Sequence, residues 1–209
     1  MRNYRRRNQR KNSAKMLILI GKLFDRNMTM DPSLSIRLAD LEDINTIGFL
    51  AQQIWPGTYG TILSPDQVRY MLALLYSPAA LRQQMLDDKH NFLIVEEEEE
   101  PVGFASWSPA AEPGIYKLHK LYVLPGRQGK GLGKIMLNFI FEDIRALGAR
   151  VLTLNVNRHN KARQFYEKLG FSVVCEEDID IGNNYYMKDY VMEKKLPDHC
   201  GMDRIMSTD

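Results

Sequence analysis

"LPGRQGKGLGKIML", residues 124–137, places four glycines within eight positions and then runs into an apolar stretch. A glycine inside regular structure costs about 0.5–1 kcal/mol relative to alanine. Such clustering marks a main chain that must come close to something. The stretch before it, "IYKLHKLYVL" (115–124), reads as a strand. From Gly131 onward, Leu132, Ile135, Met136, Phe139, Ile140 and Ile144 recur at helical spacing, and Gly148 closes the run. Strand, glycine turn and helix N-terminus together suit a phosphate, because the first helical amides lack partners and the helix end carries roughly half a positive charge. Bare backbone at Gly129, Gly131 and Gly133 exposes those amides, and Lys130 and Lys134 add charge.

Two common phosphate loops do not fit. The Walker pattern wants Lys-Ser/Thr after its last glycine, but Leu132-Gly133 follows Gly131. The dinucleotide fingerprint wants Gly-x-Gly-x-x-Gly, and the spacing here is Gly129-x-Gly131-x-Gly133.

The rest of the chain places the loop in a larger unit. "LSIRLA" (34–39) alternates as a strand, and Asp40 stands as an N-cap with Asp43 in the first turn of a helix reaching about Ile54. "WPGTYG" (55–60) is expected to break that helix. Ser64-Pro65 and Ser77-Pro78 each open a further helix, the second running to about Asp87. "NFLIV" (91–95) and "VGFASWS" (102–108) read as strands around a glutamate-rich turn, which is expected to be a solvated hairpin rather than a metal site. "VLTLNV" (151–156) reads as a strand covered on both faces. A short helix over 160–169 ends at Gly170, and "FSVVCEE" and "YYMKDYVMEKKL" form a hairpin around "GNN". Strands and helices alternate as one α/β or α+β domain.

Bulk composition narrows the setting. At 209 residues, with 44% apolar and 26% charged residues, the chain suits one globular domain. Two cysteines, Cys175 and Cys200, make no disulfide framework, so a reducing, cytoplasmic location is expected. No apolar run of about 18 residues is present, so no membrane partner is expected. Residues 1–29 hold nine Lys or Arg against one acid, a balance of +8 that leaves −6 for residues 30–209 of a chain carrying +2 overall. That arm reads as a nucleic-acid or membrane-surface tail, a targeting segment, or a dispensable extension ahead of Met28 or Met30. It lacks the interleaved aromatics or recognition helix of a nucleic-acid binder, and no nucleic-acid partner is expected.

The spacing that does fit is Gln128-x-x-Gly131-x-Gly133 directly after "LYVLPGR", and here the sequence resembles the GNAT superfamily of acetyl-CoA-dependent N-acetyltransferases. A second block, "NKARQFYEKLGF", carries Asn160, Ala162, Phe165, Tyr166, Gly170 and Phe171 at the family's spacing. The resemblance implies a mixed, mostly antiparallel central sheet, splayed between its fourth and fifth strands, with helices on both faces. It spans residues 34–196, leaving 1–33 as a basic extension and 197–209 as a tail.

By the same resemblance, acetyl-CoA is the cosubstrate and no metal is needed. The amides of Gln128, Gly129, Lys130, Gly131, Leu132, Gly133 and Lys134 would bind its pyrophosphate. The main chain of Leu121, Tyr122, Val123 and Leu124 would pair with the pantetheine arm. Asn160 would bond that arm or hold a helix start, and Tyr166 would reach the thioester sulfur. The acceptor is implied to be a primary amine, on a small molecule or a protein. The fold also leaves open a non-catalytic acyl-CoA-binding module, and a homodimer, since members pair through C-terminal strands.

An amine attacking a thioester needs a neutral nucleophile, a donor for the carbonyl oxygen and a proton for the thiolate. An alkyl amine of pKa about 10.4 is protonated at neutral pH, so a base is needed. Strand parity groups Lys117, His119, Leu121 and Val123 on one face, which would make His119 the base where other members carry a glutamate. His90, His159 and His199 are expected to be structural or exposed. Trp55 and Tyr59 are expected to line the acceptor pocket, with Tyr185 and Tyr186 as secondary candidates.

Overall fold

The computed structural model describes residues 33–197; the basic arm, the C-terminal tail, Cys200 and His199 lie outside the described residues. Seven strands form one sheet: β1 (Leu34–Leu38), β2 (Asn91–Glu97), β3 (Glu100–Pro109), β4 (Ile115–Val123), β5 (Val151–Asn157), β6 (Ser172–Asp180) and β7 (Tyr186–Lys195). Their spatial order is β1-β2-β3-β4-β5-β7-β6, and every neighbouring pair is antiparallel except β4 and β5. Helices α1 (Ile44–Tyr59), α2 (Pro65–Tyr76) and α3 (Pro78–Leu86) cover one face. Helices α4 (Leu132–Ala146) and α5 (Ala162–Lys168) cover the other. No helix among the described residues is long and apolar enough to cross a membrane.

Local chemistry accounts for the element boundaries. Asp40 and Asp43 form a reciprocal capping box on a short 3-10 turn that runs into α1. Ser64 and Ser77 cap α2 and α3 by accepting from the amides of Gln67 and Ala80, each with proline at the first helical position. Gly148 and Gly170 take left-handed φ values of 81° and 87° just beyond α4 and α5. The turn between β6 and β7 stacks three such residues, Gly182, Asn183 and Asn184.

Three expectations change. Helix α1 is not broken at "WPGTYG" but runs through Pro56 to Tyr59. An internal proline costs about 3 kcal/mol, chiefly by removing one backbone bond and crowding the preceding turn. Here Pro56 and Gln52 lie on the exposed face, where water can serve the stranded carbonyl, while Trp55 and Tyr59 pack together with ring centroids 4.6 Å apart. Strand β5 is not covered on both faces by apolar packing. Leu152, Leu154 and Val156 enter the core under α4, whereas Thr153, Asn155 and Asn157 alternate to the other side and are half-buried.

The third change is in β4. Trp107 pairs with Leu118 and Ser106 with Lys120, so His119 is the extra residue of a β-bulge. The bulge flips the parity. Leu121 and Val123 join Leu118 against the α4 side, and Tyr122 joins the α1–α3 side. His119 therefore does not share a face with Val123. The His90 ring stacks on His119 with centroids 3.9 Å apart.

The glutamate-rich hairpin turns through Glu98 and Glu99, both at positive φ, and its flanking acids are engaged rather than only solvated. Glu96 holds Arg37, and Glu97 holds Arg127 and Lys130 of the glycine loop.

Candidate active site

Strands β4 and β5 pair in parallel only from Ile115–Val151 to Leu118–Leu154. Beyond that point β4 stays with β3 as far as Val123, and β5 stays with β7 as far as Asn157. The strands splay, and a cavity of about 920 Å³ opens between them. Leu124 N–H donates to the Val102 carbonyl at 2.9 Å. Antiparallel alternation then turns the groups of Tyr122 toward β3 and those of Leu121 and Val123 toward the open side. Gln128 Nε2 already uses one of these, donating to the Val123 carbonyl at 3.1 Å.

The glycine loop forms the mouth of this cavity. Gly131 caps α4 at φ 83°, with no side chain bonded to the helix end. The amides of Leu132, Gly133 and Lys134 donate to no described residue. A Cβ placed at Gly129 or Gly131 would meet nothing within 4 Å, so both left-handed glycines face open space. Gly133 differs, since a Cβ there would come 3.3 Å from Phe165 of α5. Its role is close helix packing. This combination fits a diphosphate-bearing coenzyme: unpartnered amides, a helix N-terminus and an unobstructed approach.

All the positions expected to hold the coenzyme line this cavity except two. Leu124 packs into the apolar clusters, and the Lys130 ammonium turns to Glu97 at 3.1 Å. Asn160 holds the start of α5, its Oδ1 accepting from the Ala162 amide at 2.9 Å. Tyr166, on α5, is 8% exposed and reaches the same cavity. Burial pushes its hydroxyl up, with Tyr59 adding to the effect, so it remains protonated throughout the physiological range.

On the α1–α3 side of the sheet lies a second cavity, of about 350 Å³. Tyr59, Tyr122, His119, Leu118, Lys120 and Asn155 line both cavities. At this junction the Tyr59 and Tyr122 hydroxyls sit 3.1 Å apart. Trp55 lines only the smaller cavity, as does Tyr186, while Tyr185 packs on Tyr70 with centroids 5.4 Å apart.

His119 Nε2 meets Ser108 Oγ at 2.8 Å. Burial first, then His90, Lys120 and Lys117, lower its pKa to about 2, so it is neutral at any working pH. Two charged residues that sequence reasoning missed share the smaller cavity. Lys120 is 7% exposed, and burial lowers its pKa to about 8. Asp189, on β7, is also 7% exposed; burial, then Glu177, raise its carboxyl to about 6, against the pull of Lys117 and Arg158. A signal for Asp189 existed in the sequence: it stands two residues from Met187, on the inward side of an alternating strand. Lys120 had none, because the bulge turns it inward.

The comparisons agree with this geometry. The acetyltransferase (GNAT) family pattern matches residues 53–171, more than half of the chain, and the chain belongs to that family. It is similar to a spermidine N(1)-acetyltransferase of Thermoplasma acidophilum, 29% identical over 168 residues that span 78% of this chain and 98% of the relative. A [ribosomal protein bS18]-alanine N-acetyltransferase of Haemophilus influenzae is 34% identical over 87 residues, 42% of this chain and 55% of the relative. Among solved structures, a PaiA N-acetyltransferase of Thermoplasma acidophilum in complex with coenzyme A superposes with a TM-score of 0.68 at 28% identity, covering 78% of this chain and 99% of that one. The protein is thus an acetyltransferase of the GNAT class.

Proposed function

We propose that the enzyme moves an acetyl group from acetyl-CoA to a primary amine by direct attack. The observation that carries this reading is the unplugged N-terminus of α4, which opens on the same cavity as Tyr166 and the free edge of β4. Acetyl-CoA supplies the acyl group as a thioester. The coenzyme-bound relative and the named amine substrates of the other relatives support the same chemistry.

The chain's own groups divide the work. The amides of Leu132 to Lys134 bind a pyrophosphate, with Lys134 adding charge at the same mouth. Leu121 and Val123 offer strand-like hydrogen bonds to an amide-bearing arm, and the Val123 N–H is the donor for a carbonyl oxygen as it gains charge. A C–N bond forms and a C–S bond breaks. One proton must leave the amine and one must reach the sulfur. Tyr166 donates the hydrogen bond at the sulfur; its raised pKa makes it a relay from water rather than a source of free protons.

For the amine proton, His119 is a poor acceptor because a base of pKa about 2 holds almost none at neutral pH. Asp189, at about 6, is matched to the task and charged in the working range. We assign it the base role and give His119 a positioning role through Ser108.

Calorimetry with acetyl-CoA, followed by thiol release in the presence of an amine panel, tests the reading. Binding with turnover supports it. Binding without turnover on any amine favours the non-catalytic acyl-CoA module instead. No binding removes both.

A further inference from the structure

The smaller cavity contains two opposite buried charges that do not pair with each other. None of the ion pairs among the described residues includes Lys120 or the Asp189 carboxylate. The Lys120 ammonium bonds the Gln84 side-chain oxygen at 2.7 Å and lies 5.5 and 5.6 Å from the ring centroids of Tyr76 and Phe92. An ammonium has three N–H donors, and the amide and the rings do not fill them; Asp88 acts on it only electrostatically, without an ion pair. The neighbouring Trp55 lines the same cavity, and its buried indole N–H has no acceptor. Asp189 feels Lys117 and Arg158 and a hydrogen bond from Asn155, but forms no ion pair, because Arg158 pairs with Glu176 and Asp178 of the hairpin. Buried charges are ordinarily paired, because desolvation is otherwise uncompensated.

Asp189 acts electrostatically on Tyr59, whose hydroxyl meets Tyr122 at the junction with the coenzyme cavity. Lys120 acts on His90 and bonds Gln84 of α3. Asn155 and Asn157 of β5 lie in the cavity wall between the two charge-bearing strands, while Asp88 acts on Lys120 and Lys117 on Asp189 from the same wall. Met71, Leu75, Ile179 and Met187 supply apolar wall. A volume of about 350 Å³ is at the lower end for small-molecule sites.

Resting on the transferase reading above, we infer that the acceptor is an aminocarboxylate, a free α-amino acid with an apolar side chain. Its amine faces Asp189 in the smaller cavity, and its carboxylate pairs with the Lys120 ammonium. One molecule carrying both charges neutralises both buried groups. A polyamine, positive throughout, would set a second cation against Lys120 in a site of low dielectric.

The experiment uses the full chain with L-leucine, L-methionine and L-phenylalanine, each beside its carboxamide, and with spermidine. Thiol release gives kcat/KM, and calorimetry in the presence of CoA gives acceptor affinity. The expected result is at least a tenfold preference for one or more acids over the matching carboxamide. That preference disappears in Lys120→Met and persists in Lys120→Arg, with acetyl-CoA binding retained in both variants. Carboxamides or spermidine equal to the acids would overturn the inference. So would a preference that survives Lys120→Met, or no binding and no turnover with any acid. Rapid turnover of spermidine alone would sink the acceptor class and leave the transferase reading standing. Failure to bind acetyl-CoA would remove that reading as well.

Discussion

The two cavities on either side of β4 are made of different material. The larger one is built from main chain: the amides at the head of α4, the turned-out groups of Leu121 and Val123, and glycines that keep the approach open. The smaller one is built from side chains on seven separate elements, including Trp55, Gln84, Lys120 and Asp189. Backbone geometry binds whatever carries a pyrophosphate and an amide-bearing arm. Side chains choose the acceptor. The contrast teaches that the shared step and the specific step of this reaction are separable, and each can be broken without the other.

The largest expected effect is on the main-chain side. Gly131→Val places a β-branched residue at φ 83°, where only glycine rests easily, and misdirects the amides of the first turn. Two lost bonds to a charged group, at about 1.5–3 kcal/mol each, amount to on the order of a hundredfold or more in acetyl-CoA affinity by calorimetry. Next comes Tyr166→Phe, which is expected to lower kcat by about ten- to a hundredfold with acetyl-CoA affinity unchanged, as removal of one transition-state hydrogen bond does. Full activity in that variant would remove the tyrosine's role at the sulfur.

On the side-chain side, the pH dependence separates the two base candidates. With Asp189 as base, kcat/KM falls below about pH 6, and Asp189→Asn removes that limb along with most activity. His119→Ala is expected to lower activity only a few-fold and to leave the limb in place. A limb lost with His119 and retained without Asp189 would reverse the assignment.

The smallest effect is on stability. A carboxyl raised from 3.8 to about 6 in the fold binds more protons folded than unfolded, so its contribution is fully present below about pH 4 and is lost as pH rises through 6. Above pH 6 the buried carboxylate weakens the fold. Asp189→Asn is therefore expected to raise Tm at pH 8 by a few degrees and to change it little at pH 4. Equal shifts at the two pH values would contradict the burial of that charge.

How much of this was legible in the sequence follows the same division. The spacing Gln128, Gly131, Gly133 and the block from Asn160 to Phe171 marked the coenzyme side, because backbone that must stay bare leaves glycine at fixed intervals. Ser64-Pro65, Ser77-Pro78, Gly148 and Gly170 gave the helix limits, because caps act locally. Pro56 misled, since its cost depends on whether the stranded carbonyl faces water, which only the fold decides. Strand β5 misled because Asn155 sits inside the near-continuous apolar run 151–156, although with Asn157 it forms a polar wall of a cavity. His119 misled for a similar reason. One residue of bulge, set by the pairing of Ser106 with Lys120, moved it off the expected face and brought the lysine inward. Acceptor-side residues meet only through the tertiary fold, and no spacing along the chain records them.

The most direct test is a calorimetric titration of the full chain with acetyl-CoA, repeated with Gly131→Val and Lys120→Met. The account requires one coenzyme bound per chain, binding abolished or weakened at least a hundredfold by the glycine change, and a far smaller effect from the lysine change. No heat with the wild-type chain, or binding that survives in Gly131→Val, would mean that the head of α4 does not hold the coenzyme.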